Sequence, residues 1–139
     1  SLSWTKLVMN VVPTGSVTAT NFAIYDAANE SVVLASQAGA GPAVTFTPAT
    51  EQEISGSKTY VVKATIGGTI ASGDSVSSSI LNTGAVFAAP ATAAVAEAVG
   101  TNTFVWSDQS IIGHNETTAD WMGSFLVKNL PTDSQTLTK

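Results

Sequence analysis

The alternation of apolar and polar positions along the chain reads as a run of short β-strands divided by turn residues. Residues 4–12 are apolar on both parities, with Leu7, Met9 and Val11 on one side and Trp4, Val8 and Val12 on the other. A strand with one wet face would alternate, so this one is expected to be covered on both faces, with Pro13 and Gly15 stopping it. Residues 17–25 alternate through Val17 and Ala19, then resume at Phe22 and Ile24 after a slip of parity near Asn21, the mark of a β-bulge. Residues 26–30 make a hairpin turn into a strand over 31–36, and the Gly- and Ala-rich loop 37–42 leads to another around Val44–Thr47. After residues 51–57, which carry two acids and Gly56, the longest β pattern covers 58–66. Tyr60, Val62, Ala64 and Ile66 share one of its faces, and Thr59, Val61, Lys63 and Thr65 share the other. Gly67-Gly68 turns the chain, and 75–81 alternates again.

Residues 85–99 are alanine-rich and admit two readings, a short helix begun by Pro90 or an extended connector. Strands are expected over 102–106 and 121–127, separated by a polar loop, and Leu130-Pro131 ends the second. The tail 132–139 is polar, with Leu137 its only apolar residue. About eight or nine strands with regular turns predict an all-β fold, an antiparallel sandwich of jelly-roll or Ig-like type, self-contained or completed by an exchanged strand. The organisation expected is an N-terminal strand, residues 1–12, as candidate donor, followed by a sandwich domain over 13–139.

Composition narrows the function classes. Apolar residues are 44% of the chain, enough for a packed interior, while charged residues are only 11% against about 25% in an average soluble protein. Serine and threonine fill about a quarter of the chain. A surface rich in hydroxyls and poor in lysine suits a protein that sits against neighbours or sugar. The net charge is −5 and all five basic residues are lysines, so nucleic acid and anionic membrane surfaces are not expected partners. No apolar run reaches the ~20 residues needed to span a bilayer. The absence of cysteine removes disulfides and thiolate chemistry. The opening Ser1-Leu2-Ser3-Trp4, with neither methionine nor a basic leader, reads as a mature or excised chain whose export signal has gone.

Candidate chemistry clusters around the one histidine, His114. Ser, His and Asp are all present, but no Gly-x-Ser-x-Gly elbow holds a serine in a strained turn, and no catalysis is expected. Asp108, His114, Glu116 and Asp120 are candidate ligands for a structural cation, although they lack the spacing of a calcium loop; a solvated polar loop is the competing reading. Glu51 and Glu53 lie two apart, placing both carboxylates on one face of an extended segment. No cofactor is expected. Trp4, Trp106 and Trp121, with Tyr25 and Tyr60, are either core residues or a sugar-stacking platform. Asn29-Glu30-Ser31 and Asn115-Glu116-Thr117 are glycosylation sequons at Asn29 and Asn115.

Two parts of the sequence carry a resemblance. The run Phe104-Val105-Trp106-Ser107-Asp108, then His114, Asp120-Trp121 and Leu126-Val127-Lys128-Asn129-Leu130-Pro131-Thr132-Asp133, resembles a C-terminal pattern of large secreted surface proteins of ultra-small candidate-phylum bacteria. Phe22-Ala23-Ile24-Tyr25-Asp26, Val44-Thr45-Phe46-Thr47 and 57–64 are similar to the β-sandwich domains of those proteins. The resemblance implies an exported, β-rich cell-surface protein and carries no activity over to this chain. The function expected is a structural subunit of an extracellular filament or coat, a homopolymer built by β contacts with copies of itself. Leu2, Trp4, Leu7, Val8, Met9, Val11 and Val12 of the first strand are the assembly candidates. The alternative is a carbohydrate-binding or adhesive module with glycans as partners.

Overall fold

The computed structural model describes residues 1–82, 102–124 and 127–139. Among them are ten strands: β1 Leu2–Thr14, β2 Val17–Asp26, β3 Asn29–Gln37, β4 Ala43–Phe46, β5 Gln52–Ile54, β6 Tyr60–Gly68, β7 Ser75–Ile80, β8 Phe104–Ser107, β9 Trp121–Met122 and β10 Gln135–Thr138. All pairings are antiparallel, and two sheets pack face to face as a β-sandwich. The described residues include no helix, so none is long and apolar enough to cross a membrane. The choice between helix and connector at 85–99 concerns positions outside the described residues.

β1 is the spine of the larger sheet. Its residues Leu2–Trp4 pair β5 and its residues Leu7–Asn10 pair β4 along one edge. Along the other edge Ser3–Leu7 pair β8 and Met9–Thr14 pair β7. Met9, for example, faces Val44 on one side and Ile80 on the other. β9 then extends the sheet beyond β8, and β10 beyond β7. The smaller sheet has the order β3-β2-β6.

Trp4, Val11, Ala19, Phe22, Ile24, Val44 and Phe46 form the core between the sheets, with Leu7, Met9 and Val62 packed against them. Trp4 therefore lies on the same face as Leu7, Met9 and Val11, not with Val8 and Val12 as strict alternation predicts. The cause is a register shift between Trp4 and Lys6 against β8, which resets the period-2 pattern. Cover on both faces is also confined to the start of the strand. Ser3, Thr5 and Lys6 are buried there, whereas Val12 is 40% exposed. The strand continues through Pro13, which pairs with Val76, to Thr14. The slip at Asn21 is a bulge as expected: the β2–β6 register shifts between Thr20 and Ala23, and Asn21 has φ +52°. β5 and β10 have no counterpart among the expected strands.

One side of the sandwich is laced shut. The Gln37 side chain, at the end of β3, accepts from the Thr45 amide at 2.7 Å and donates to the Ala43 carbonyl at 3.3 Å, bridging the two sheets through β4. Between β6 and the β7–β10 pair runs an apolar groove of about 490 Å³, lined among others by Val11, Val62, Ile66, Val76 and Leu137.

Candidate functional site

A second, smaller cluster lies on the far face of the larger sheet. Val105 alternates with Phe104 and Trp106, which pack on the main core, so Val105 points the other way, against the fully buried Trp121. The loop 108–120, which joins β8 to β9, covers this pair. Side chains shape the loop from within. The Ser107 hydroxyl accepts from the Gln109 amide at 2.9 Å, and the Asp108 carboxylate accepts from the Ser110 amide at 3.1 Å. Asn115 Oδ1 accepts from the Thr117 amide at 2.8 Å, and the Trp121 indole donates to the Asn115 carbonyl at 3.1 Å. Such local bonds satisfy backbone donors that would otherwise lack partners in a loop without ladder pairing.

His114 is carried by this loop into a site where its side chain is 10% exposed. Its Nδ1 lies 2.8 Å from Asp120 Oδ2, and its Nε2 lies 2.8 Å from Glu51 Oε2. Ionised carboxylates only accept hydrogen bonds, so the ring satisfies both contacts when it is protonated, as an imidazolium with both nitrogens donating. Ser3 Oγ stands 3.4 Å from Nε2, and the Trp121 ring lies 5.1 Å from the imidazole, tilted. Burial acts to lower the His114 pKa, but the hydrogen bonds and charges of Glu51 and Asp120 outweigh it and hold the pKa above the ordinary histidine value. For Asp120 burial acts upward, and it is outweighed by hydrogen bonds from Thr118, His114 and the Ile111 amide, so the carboxyl titrates below its ordinary range.

The path of the loop matters. Leu2–Trp4 of β1 lie between β5 and β8. Glu51 immediately precedes β5, while the loop springs from the end of β8. The His114–Glu51 ion pair therefore straps the loop across the start of β1, and Ser3 beneath it is 1% exposed.

Two of the four candidate metal ligands, His114 and Asp120, meet here. Asp108 is engaged with Ser110, and Glu116 is exposed and makes no ion pair among the described residues. Glu51 and Asp120 bind opposite nitrogens of the ring, an arrangement that cannot converge on one ion. No group of three or more His, Asp or Glu among the described residues is set to hold a metal. Ser3, His114 and Asp120 do reproduce the order of a nucleophile–base–orienter chain, yet Glu51 occupies Nε2 at the shorter distance and the serine is buried. Glu53 is exposed and takes no part.

The other candidate residues are scattered. Trp4 is 2% exposed and Trp121 fully buried, while the half-buried Trp106 donates its indole N–H to the Gly123 carbonyl at 3.0 Å. Tyr25 lies under Lys63, and Tyr60 packs edge-on against Trp4. Asn29 and Asn115 are both exposed, and each carboxamide oxygen accepts from the hydroxyl two residues on, Ser31 or Thr117, at 2.6 Å. Of the assembly candidates, Trp4 and Val11 are core residues, Leu7, Val8 and Met9 are half-buried, and Leu2 and Val12 are exposed. Sequence reasoning missed Ser3 and Thr118 as neighbours of the histidine, and took Glu51 as the partner of Glu53. No local pattern could have joined Glu51 to a residue 63 positions away. No protein-family model, curated protein or solved structure matches this chain.

Proposed function

We propose that the chain is a structural, non-catalytic subunit of an extracellular filament or surface coat, whose copies associate through β contacts with β1 as the exchanged element. One observation carries the reading. β1 pairs with four later strands, β4, β5, β7 and β8, and leads into β2 of the other sheet through just the two residues Gly15 and Ser16. Those four partners can take the same strand from a second copy with the pairing reproduced, and a head-to-tail exchange of this kind propagates as a filament wherever its rotation does not close a ring. The sparse charge, the resemblance to cell-surface sandwich domains, and exposed apolar residues such as Ile112 and Leu137 support the same reading. The adhesive alternative draws no support from Trp4 and Trp121, whose ring faces are buried.

The chain has no cysteine, so a pair introduced at Asn10→Cys and Ser79→Cys, facing residues of β1 and β7, gives a clean test. The protein is assembled under reducing conditions, oxidised, and run on a denaturing gel beside electron micrographs. Exchange predicts filaments and a ladder of covalent multimers. Monomers locked within themselves, with no filaments at working concentration, would remove the reading and turn effort to glycan arrays.

A further inference from the structure

We infer that the His114 strap is a proton-operated catch that holds the start of β1 in its own sheet and releases it for exchange when the imidazolium is lost. The inference rests on the exchange reading above for its purpose, but its geometry stands separately. The two segments that flank the first residues of β1, Glu51 leading into β5 and the loop following β8 with Asp120, meet Ser3 of β1 at one ring. A further tie, from the Ser1 hydroxyl to the Gln109 side chain, lies beside it. Among the described residues, β1 is held further along by backbone ladders and core packing. At this end a titrating group binds the strand's neighbours together.

The groups facing the ring are few. Glu51 comes from the β5 side, and Asp120 and the Thr118 hydroxyl come from the loop itself. Ser3 comes from β1, and Trp121 offers its ring. Both charged neighbours are carboxylates. A neutral imidazole has one N–H, so on deprotonation one carboxylate is left facing a lone pair, and that contact turns from attractive to repulsive. The direction follows from linkage. The folded pKa of His114 lies above its unfolded value near 6.5. The catch is fully engaged below that pH and is lost as pH rises through the folded value. Asp120 titrates below its ordinary range, so its contribution is present above pH ~4 and does not limit the catch near neutrality.

The test uses hydrogen exchange read by mass spectrometry on the intact protein between pH 5.5 and 9, corrected for intrinsic rates, with the β2 and β6 amides as internal reference. In the wild type, protection of amides 3–7 should fall about tenfold to hundredfold relative to that reference as pH rises, the equivalent of one charge-assisted hydrogen bond. His114→Gln should show the lowered protection already at pH 5.5 and no further change. Glu51→Gln, a milder replacement at a partly exposed position, should show a reduced pH response and serves if the first variant folds poorly. Protection that is independent of pH in the wild type, or a response that persists in His114→Gln, overturns the catch. Filament growth is followed by light scattering in parallel. Faster growth at pH 9 than at pH 6, abolished in His114→Gln, is the expected result. Equal growth at both values overturns the regulatory role while leaving the filament reading intact. Loss of protection without filaments at any pH supports the catch and removes the filament reading.

Discussion

Replacing Asp120 by asparagine isolates the charge in the His114 network, because the carboxamide has the shape of the carboxylate. In the folded chain Oδ2 accepts from His114 at 2.8 Å and from the Ile111 amide at 3.3 Å, and Oδ1 accepts from the Thr118 hydroxyl at 2.5 Å. In Asp120→Asn the amide oxygen can keep the first two donors. Its NH2 then faces Thr118, whose hydroxyl can accept while donating to the Asn115 carbonyl 2.7 Å away. Every hydrogen bond survives in number, and what disappears is one counter-ion of a histidine that is 10% exposed. A hydrogen bond to a charged group is worth about 1.5–3 kcal/mol and an ordinary one about 0.5–1.5, so the loss at pH 6 should be about 1–2 kcal/mol. With a urea slope of roughly 2 kcal/mol/M, the midpoint should fall by about 0.5–1 M. Removing the counter-ion also lowers the His114 pKa, so the difference between variant and wild type should shrink as pH rises through the folded pKa. Urea titrations followed by tryptophan fluorescence at pH 6 and pH 9 decide it. An equal penalty at the two pH values would refute the imidazolium assignment, and so would no penalty at pH 6.

Two further substitutions test the frame around the site. Gly68 ends β6 at φ +89°, and a Cβ there would stand 2.1 Å from the Ser16 carbonyl oxygen. Gly68→Ala should therefore cost at least the roughly 1–3 kcal/mol of a strained left-handed backbone; an unchanged Tm in calorimetry would contradict the turn geometry. Gln37→Ala removes both bonds that lace β3 to β4. It should cost about 1–2 kcal/mol and speed exchange of the Thr45 amide selectively, whereas uniform exchange across β4 would show that the lacing carries no local stability.

The residues show unevenly what was legible beforehand. The all-β class, the bulge at Asn21 and the shared face of Tyr60 and Val62 on β6 followed from period-2 alternation, because burial of one sheet face imposes that pattern, although Ala64 and Ile66 of the same face are exposed. β10 escaped notice because it joins the sheet by backbone pairing to β7 with a polar sequence, and its one apolar residue, Leu137, is 80% exposed. β5 escaped for a related reason, being three residues long and bounded by an acid and a turn. The face taken by Trp4 depended on a register shift against β8, which nothing in residues 2–14 announces.

The chemistry divides the same way. Sequence alone placed His114 in a polar loop with acids nearby, and the pairing with Asp120, six residues on, lay within reach of that reading. Which carboxylate would meet the other nitrogen was decided by the fold. Glu51 reaches His114 only because β1 draws β5 to one of its edges and β8 to the other, so the loop after β8 comes to lie over the lead into β5. A local pattern records what a residue's own strand requires. The meeting of Glu51, Ser3 and His114 is a property of strand order, which is selected by the packing of the whole sandwich and leaves no periodic trace along the chain.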